Sequence, residues 1–339
     1  MPTLEPCLNV PSALPLSADL AHAFEAAVKR ASSVIIGTHL NPDGDALGSA
    51  LAVMHYLDGI GVSCEVVCHH VAPRMLRFLP GVSRLRLKPV EEKHDLGIIV
   101  DLDATDRLGD TEPYFAATDK TIVVDHHVPH EAPGNLRIVD TGAAATSAIL
   151  TRLFIALEAN ITPAMATCLL TGIVTDTGSF RFRNTTPESM MLAGHLLACG
   201  ADINQISEAV FQSRPVEATR LLGMILEEMH MESDNRIAWS VIGLDDFARI
   251  GASDEDTEGF VNELLSIESV QIAVLARETK PGKIRVSLRS RRNIDVAEVA
   301  RFFGGGGHKN AAGCTLEGEI EPAMAQLVDR LKQCLASYS

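Results

Sequence analysis

The sequence predicts an α/β protein with two domains: an N-terminal domain built on a parallel sheet and a smaller α/β C-terminal domain. Short, nearly continuous apolar segments alternate with helical stretches in the first half of the chain. This pattern is typical of parallel strands that are covered by helices on both faces. The chain has 339 residues, which is long for a single domain. Its C-terminal part has longer strand-like segments, which indicates a second unit.

The elements of the first domain follow one another in a regular order. Residues 1–16 contain four prolines and are expected to form a loose N-terminal arm. Ser17 is placed to cap a helix that runs to about Arg30. The apolar strands are predicted at residues 33–37, 64–68, 96–100 and 121–124, and the helices at 47–57, 143–159, 163–174 and 187–199. We expect this domain to extend over residues 17–200.

A helical connector and a second domain complete the chain. Residues 201–230 are expected to be helical with a break at Arg214-Pro215, because a residue that precedes proline avoids the helical conformation. The second domain covers residues 231–339, with strands predicted at 237–242, 270–277 and 283–288 and helices near 295–303 and 322–334. An acidic loop at residues 253–258 separates the first two of these strands.

The net charge of −15 disfavours one class of partner. Proteins that bind long duplex nucleic acid are usually basic, because phosphate contacts supply most of the affinity. Residues 277–309 nevertheless carry nine Lys or Arg and three Asp or Glu, a local charge of +6. A solvated strand and a local anion site both explain this basic stretch, and the charge alone does not separate them.

Membrane and disulfide chemistry are not expected. The chain has no apolar run of about 20 residues, and no basic segment followed by an apolar core at its N-terminus, so we expect a cytoplasmic protein. Its seven cysteines are scattered and odd in number, which favours free thiols. Cys64 and Cys68 precede His69 and His70, but a strand-like spacing and the lack of a second cysteine pair disfavour zinc there.

Carboxylates and imidazoles follow the predicted strands where these end. Asp43 and Asp45 flank a glycine after the first strand, where we expect a turn. The third and fourth strands end in further such residues, and an apolar helix runs into another aspartate. The whole set is Asp43, Asp45, Asp101, Asp125, His126, His127 and Asp176. Because ligands bind outside the carboxyl ends of parallel strands, we expect these side chains to share one site.

This mixture of ligand types indicates a particular kind of metal centre. Carboxylate oxygens and neutral imidazoles suit Mn²⁺ or Mg²⁺, and Zn²⁺, Co²⁺ or Fe²⁺ are also compatible. Carboxylates that bridge can hold two ions about 3.5–4 Å apart, the arrangement used for displacement at phosphorus.

Taken together, the motifs resemble those of the DHH phosphoesterase family. The resemblance extends from about residue 30 to 315 and includes the DHH-associated C-terminal domain. It is carried by His39 with the run 42–49, by Asp101 with Arg107 and Gly109, by Asp125-His126-His127, by the run 176–181, and by the runs 287–290, 304–308 and 311–313. The chain length and domain pair are similar to those of bacterial nanoRNases, which are also phosphatases of 3′-phosphoadenosine 5′-phosphate. Asp103 departs from the small residues common in the second motif and is a candidate outer acid.

The resemblance implies a division of labour at the metal centre. One ion is expected on His39, Asp43 and Asp101, and the other on Asp45, Asp101, His126 and Asp176, with Asp101 bridging. A water shared by two ions, most plausibly Mn²⁺ with Mg²⁺ or Co²⁺ as alternatives, would attack phosphorus. The resemblance also gives His127 a place at the phosphate or the leaving oxygen, and Asp125 the role of orienting a ligand histidine.

The second domain is expected to supply substrate contacts across a cleft between the domains. Arg289 and Ser290 end a predicted strand, and a run of glycines precedes His308. Glycine lets backbone N–H groups approach an anion, and arginine binds phosphate through two hydrogen bonds. The candidates are Arg289, Ser290, Gly305, Gly306, Gly307, His308 and, beside the fourth motif, Arg181.

The expected substrates are therefore very short RNA or 3′-phosphoadenosine 5′-phosphate, with no long duplex as partner and a monomer or homodimer as the working form. A phosphodiesterase for cyclic or linear dinucleotides of the cyclic di-AMP type is the main alternative, because it would use the same metals. A single-strand exonuclease and a pyrophosphatase fit the sequence less well. A nucleotide sensor without turnover would be expected to lack some of the metal ligands, and here all six are present.

Overall fold

The computed structural model describes residues 16–102, 104–128 and 134–338, which form two compact units that divide between Ser213 and Arg214. The expected arm at residues 1–16, Cys7 and the candidate acid Asp103 lie wholly or almost wholly outside these ranges. The division falls at the predicted helix break, within the expected connector. None of the helices in the described part of the chain combines the length and the apolar character that a bilayer span requires.

The first unit is built on a six-stranded sheet in which every strand pairing is parallel. The strands lie in the order β3-β2-β1-β4-β5-β6. They are β1 Ser33–Gly37, β2 Ser63–Val67, β3 Leu85–Arg86, β4 Leu96–Val100, β5 Lys120–Asp125 and β6 Leu136–Val139. The chain winds outward in one direction from β1 and then returns to β4 on its other side. The carboxyl ends of β1 and β4 thus flank the switch point at which ligands bind in such sheets.

The described part of the first unit contains seven α-helices. They are α1 Ala18–Arg30, α2 Gly44–Gly59, α3 Glu112–Ala116, α4 Thr146–Ala156, α5 Pro163–Asp176, α6 Pro187–Ala198 and α7 Ile203–Phe211. Helices α1, α2 and α4 are among those that make direct contacts with strands of the sheet. Alternate residues of the central strands enter two apolar clusters, so Val34 and Ile36 pack on one face and Ile35 on the other. Both faces are therefore buried, as the near-continuous apolar strands predicted.

Helices α2 and α5 approach each other closely because glycines lie at their contact. A Cβ added at Gly48 would lie 2.4 Å from the carbonyl oxygen of Cys168. A Cβ at Gly172 would lie 2.4 Å from Ser147 Oγ and 2.5 Å from Asp45 Oδ1. This close approach brings the beginning of α2 and the end of α5 to the same edge of the sheet.

The second unit contains a mixed sheet. Its strands lie in the order β11-β12-β10-β9-β8-β7, and β8 and β9 are its parallel pair. The elements are α8 Val216–Glu227, β7 His230–Glu232, β8 Ile237–Ile242, α9 Leu244–Ile250, α10 Phe260–Leu265, β9 Ile272–Lys280, β10 Lys283–Ser290, α11 Val296–Phe302, β11 Gly306–His308, β12 Ala311–Glu317 and α12 Ile320–Ala336. The predicted fold class, a parallel-sheet domain followed by a smaller α/β domain, is confirmed.

Two local predictions need correction. Asp43 and Asp45 do not lie in a turn: Asp43 caps α2, and Asp45 lies in its first helical turn. Glycine is needed at position 44 of this helix, because a Cβ there would lie 2.4 Å from Thr175 Oγ1. The helix predicted over residues 143–159 extends only over Thr146–Ala156, because Ala145 is extended and the carbonyl oxygen of Ala143 bonds to His126 instead of entering a helix.

Candidate metal centre

The predicted ligands of the first unit converge at the carboxyl edge of its sheet. His39 and Asp43 follow β1, Asp101 follows β4, and His126 follows β5. Three groups of potential ligands have donor atoms within 4.8 Å of one another: His39, Asp43 and Asp101; Asp101, His126 and His127; and Asp45, His126 and Asp176. The groups overlap, because Asp101 belongs to two of them and His126 belongs to two.

The loop after β1 fixes His39 and Asp43 together. Asp43 Oδ1 accepts the N–H groups of Asp45 and Ala46 at 3.1 and 3.0 Å, which caps α2 and leaves Oδ2 free to face His39. The Nδ1 of His39 lies 2.9 Å from the carbonyl oxygen of Leu40, which can only accept a hydrogen bond. Nδ1 is therefore the donor, and Nε2 is directed at Asp43 Oδ2 and Asp101 Oδ2, at 3.9 and 3.4 Å.

Asp101 lies at the centre of the cluster and is buried, with 2% of its side chain exposed. Its Oδ2 faces His39, while its Oδ1 lies 3.6 Å from Nε2 of His126. The residue has a φ of 58°, a left-handed conformation that is unfavourable for an aspartate. Burial alone would raise the pKa of this carboxyl, but the hydrogen bond to His39 and the neighbouring histidines hold its pKa far below the usual range. Asp101 is thus an ionised carboxylate with one oxygen toward each half of the site.

The two histidines of the third motif are oriented by different partners. The Nδ1 of His126 donates to the carbonyl oxygen of Ala143 at 3.3 Å, which directs Nε2 toward Asp101 and Asp176. The Nδ1 of His127 donates to Asp125 Oδ1 at 2.8 Å. The sequence predicted that Asp125 orients a ligand histidine, and the structure pairs it with His127, which belongs to one of the three groups of potential ligands.

Asp45 is fully buried between the helices. Its Oδ2 accepts the N–H of Thr146 at 2.6 Å, and its Oδ1 accepts the N–H of Ser147 at 2.9 Å. Burial, with a further contribution from the charge of Asp101, raises the pKa of Asp45 to about 7. The pKa of Asp176 is also well above its usual value, because of burial and the charges of the other aspartates.

The electrostatics of the cluster favour a bound cation. Burial would lower the pKa values of His39, His126 and His127, but the surrounding carboxylates outweigh burial and raise all three. Aspartates whose oxygens lie within 4.8 Å of one another, as in these groups, repel one another unless positive charge is present. The donor set of carboxylate oxygens and imidazole nitrogens fits hard or borderline divalent ions such as Mn²⁺ and Mg²⁺.

Sequence reasoning missed the residues that hold these ligands. Thr146 Oγ1 donates to Asp101 Oδ1 at 2.9 Å. The side-chain amide of Asn184 donates to the carbonyl oxygens of Ala144 and Asp176, each at 3.0 Å. Thr146 is the first residue of an apolar helix, so its local sequence gives no signal of a contact to a metal ligand. Asn184 belongs to a polar run, residues 184–186, and this run is the local sequence feature that indicates an ordered loop there.

Two arginines of the basic stretch are paired with a carboxylate within the second unit. Arg277 and Arg285 both pair with Asp254 of the acidic loop, at 3.5 and 2.7 Å. Among the described residues Arg289 forms no ion pair, and its guanidinium donates to the carbonyl oxygen of Leu288 at 3.1 Å. Burial lowers the pKa of Arg289, although not enough to discharge an arginine. Of these three arginines, Arg289 is the one whose charge is not matched by a contacting carboxylate.

Several other predicted substrate residues have structural partners. The hydroxyl of Ser290 is buried, donates to the carbonyl oxygen of Ile294 at 2.7 Å and accepts from Asn310 at 2.9 Å. A Cβ at Gly305 would lie 2.1 Å from the carbonyl oxygen of Gly313. These contacts within the second unit account for a hydroxyl at position 290 and for glycine at position 305 without a substrate.

Gly306 and Gly307 lie in strand β11, which pairs with β12, so this part of the glycine run is a strand and not a free loop. A Cβ at Gly307 would lie 2.5 Å from the carbonyl oxygen of Ala311, whereas Gly306 has open space at that position. His308 contributes its backbone to β11. In the first unit, Arg181 is exposed, and its Nε donates to the carbonyl oxygen of Gly178 at 2.7 Å. The role of these residues in substrate binding, like the cleft between the domains, stays a prediction.

The chain belongs to the DHH family. Residues 33–173 match the DHH family, N-terminal domain, and residues 236–337 match the DHHA1 domain. The chain is 33% identical to the bifunctional oligoribonuclease and PAP phosphatase NrnA of Thermus thermophilus, over 88% of this chain and 89% of the relative. It is 26% identical to the protein of the same name from Bacillus subtilis, over 84% and 89%. The family membership predicted from the motifs is confirmed.

A solved structure supports the fold in both halves of the chain. The crystal structure of an exopolyphosphatase-related protein from Bacteroides fragilis matches with a TM-score of 0.87 and 28% identity. The match covers 95% of this chain and 97% of that protein.

Proposed function

We propose that this protein is a metal-dependent phosphoesterase that hydrolyses very short oligoribonucleotides and 3′-phosphoadenosine 5′-phosphate. The observation that carries the proposal is the complete set of six candidate ligands, gathered at one sheet edge of a chain that resembles the Thermus relative over 88% of its length. The reaction class is the hydrolysis of a phosphate ester bond, the class to which the names of these relatives also point.

The overlapping ligand groups support two adjacent divalent ions. His39, Asp43 and Asp101 would hold one ion, and Asp45, His126 and Asp176 would hold the other, with Asp101 as a shared ligand because it also groups with His126. Divalent ions bound in this way activate water and neutralise charge on the phosphoryl oxygens. Mn²⁺ is the ion that we propose, with Mg²⁺ or Co²⁺ as alternatives, because carboxylates and neutral imidazoles are present together and no thiolate belongs to these groups.

The residues of the chain divide the remaining work. The hydrogen bonds from Nδ1 of His39 and His126 to carbonyl oxygens fix the tautomer that presents Nε2 as a ligand. His127 donates through Nδ1 to Asp125, so its Nε2 is the atom that faces the substrate in this proposal. Burial opposes protonation of His127, but Asp125 and Asp101 outweigh it and raise its pKa. His127 can therefore hold a proton on Nε2 and deliver it to the leaving oxygen.

Arg289 is the residue of the second unit that we propose as a phosphate contact. Its charge has no carboxylate partner among the described residues, whereas Arg285 on the same strand pairs with Asp254. We expect Arg289→Gln to raise KM for phosphorylated substrates by about tenfold or more, because a hydrogen bond to a charged group contributes about 1.5–3 kcal/mol. Steady-state kinetics of Arg289→Gln beside Arg301→Gln, an exposed arginine on α11, provide the test. Equal KM values in both variants would remove Arg289 from the proposal.

A hydrolysis assay with Mn²⁺ tests the choice of substrate. A 5′-labelled RNA dinucleotide, an RNA of about two dozen nucleotides, 3′-phosphoadenosine 5′-phosphate and cyclic di-AMP are compared at equal concentration. The proposal expects rapid cleavage of the dinucleotide and the bisphosphate, with the long RNA almost untouched. A preference for cyclic di-AMP would instead indicate turnover of a signalling nucleotide. Lack of hydrolysis of all four would support a binding protein.

A further inference from the structure

The loop that precedes helix α4 supports the ligands on both sides of the candidate metal centre. The carbonyl oxygen of Ala143 accepts from His126, and the backbone N–H of Thr146 donates to Asp45. The hydroxyl of Thr146 donates to Asp101. Thr146, the first residue of α4, thus bonds through its side chain to one candidate ligand and through its backbone to a second one.

The Thr146 hydroxyl bonds to the ligand whose orientation matters most. Asp101 must present Oδ2 to the His39 side and Oδ1 to the His126 side if it is to bridge two ions. The terminal torsion of an aspartate side chain is broad, so the carboxylate needs an external contact to fix the direction of each oxygen. The hydroxyl is fully buried and lies 2.9 Å from Oδ1. This contact identifies Oδ1 and restricts rotation of the group.

This geometry differs from that of other buried threonines in the same region. Thr151 in α4 and Thr171 in α5 donate to the carbonyl oxygens four residues earlier in their own helices, at 2.7 and 2.8 Å. Such local bonds satisfy a buried hydroxyl without help from another element. Thr146 instead donates across 45 residues of sequence to a carboxylate on a different element. Because Thr146 is the first residue of α4, its helix offers no carbonyl oxygen four residues earlier, and Asp101 is the partner that its buried hydroxyl bonds.

We infer that Thr146 is a positioning residue that fixes the bridging carboxylate of Asp101 and thereby sets the affinity of the site for its pair of divalent ions. The inference rests on the metal centre proposed above. Outer contacts to metal ligands commonly change metal affinity by about 10- to 100-fold when they are removed. We expect an effect of that size from the loss of this single hydroxyl.

Calorimetric titration with Mn²⁺ alone, without substrate, provides the test. Thr146→Val keeps the side-chain shape and removes the hydroxyl, and it should weaken Mn²⁺ binding about 10- to 100-fold. Thr146→Ser restores the hydroxyl and should return the affinity to near the wild-type value. Thr151→Val is the matched control, because it removes a buried hydroxyl from the same helix without touching a candidate ligand.

The outcomes separate this inference from the proposed function. Wild-type affinity in Thr146→Val would overturn the inference while leaving the metal centre intact, whereas a wild-type protein that binds no Mn²⁺ would overturn the metal centre itself. The folded state is checked by circular dichroism in EDTA, with Thr146→Ala as a second variant. If Thr146→Val and Thr146→Ala both unfold while Thr151→Val stays folded, Thr146 is a residue that stabilises the fold and the inference is wrong.

Discussion

Replacement of Asp45 by asparagine should make the metal-free protein more stable while it abolishes metal binding. Asp45 is fully buried, and the pKa of its carboxyl is raised from 3.8 to about 7. When an acid has a higher pKa in the folded than in the unfolded state, the free energy of unfolding of the protein falls as pH rises from the unfolded pKa to the folded pKa. The metal-free wild type should therefore lose stability between about pH 4 and pH 7 through this residue.

The size of the effect follows from the pKa shift and the hydrogen bonds. A shift of about three pKa units corresponds to about 4 kcal/mol when the carboxyl is ionised. Asparagine removes this charge, but its amide nitrogen is a donor and replaces one of the two oxygens that accept from Thr146 and Ser147, so the loss of one hydrogen bond costs about 1–3 kcal/mol. The expected net gain is about 1–3 kcal/mol at about pH 8, where wild-type Asp45 is ionised.

Scanning calorimetry in EDTA at several pH values measures this gain. Asp43→Asn is the matched control: Asp43 is a candidate ligand, but 56% of its side chain is exposed, so neutralisation should not stabilise the protein. Both variants should lose the stabilisation that Mn²⁺ gives the wild type. Equal or lower stability of Asp45→Asn in EDTA at about pH 8, with an unchanged pH dependence, would refute the reasoning.

Two further predictions concern packing and thiol chemistry. Gly172→Ala should cost about 1–3 kcal/mol in calorimetry, because its Cβ would lie 2.4 Å from Ser147 Oγ. Gly194→Ala in α6 meets no neighbour within 4 Å and should stabilise by up to about 1 kcal/mol, so a destabilised Gly194→Ala would contradict the steric argument. Cys64 and Cys68 have pKa values raised to about 11 by burial, so Ellman's reagent should label them slowly at about pH 8, and rapid labelling of the native protein would contradict this.

The strands and the direct ligand candidates could be predicted because their signals are local. An apolar strand that ends in Asp101 or Asp125 is read from consecutive residues, and parallel pairing then brings such ends to one edge. The edge strands β3 and β6 were not predicted, because they are short and carry charged or polar residues. Local composition does not distinguish such segments from loops.

The supporting residues could not be predicted, because their contacts depend on the assembled fold. Thr146 bonds to carboxylates that lie 101 and 45 residues earlier in the chain. The missing side chain of Gly172 makes room for Asp45 and Ser147, which are distant from it in the sequence. The beginning of α2 was read as a turn, since Asp43 and a following glycine favour turns as well as helix caps. Only the approach of α5 decides between these interpretations.

In the proposed function, Asp101 joins two halves of a metal centre that performs phosphoester hydrolysis. The most direct test of this role is single-turnover cleavage of a 5′-labelled RNA dinucleotide with Mn²⁺ by the wild type, Asp101→Ala and Asp119→Ala, an exposed aspartate just before β5. We expect the wild type and Asp119→Ala to cleave at similar rates and to lose activity in EDTA, while Asp101→Ala shows no turnover. Full activity of Asp101→Ala, or wild-type cleavage that persists in EDTA, would contradict the account.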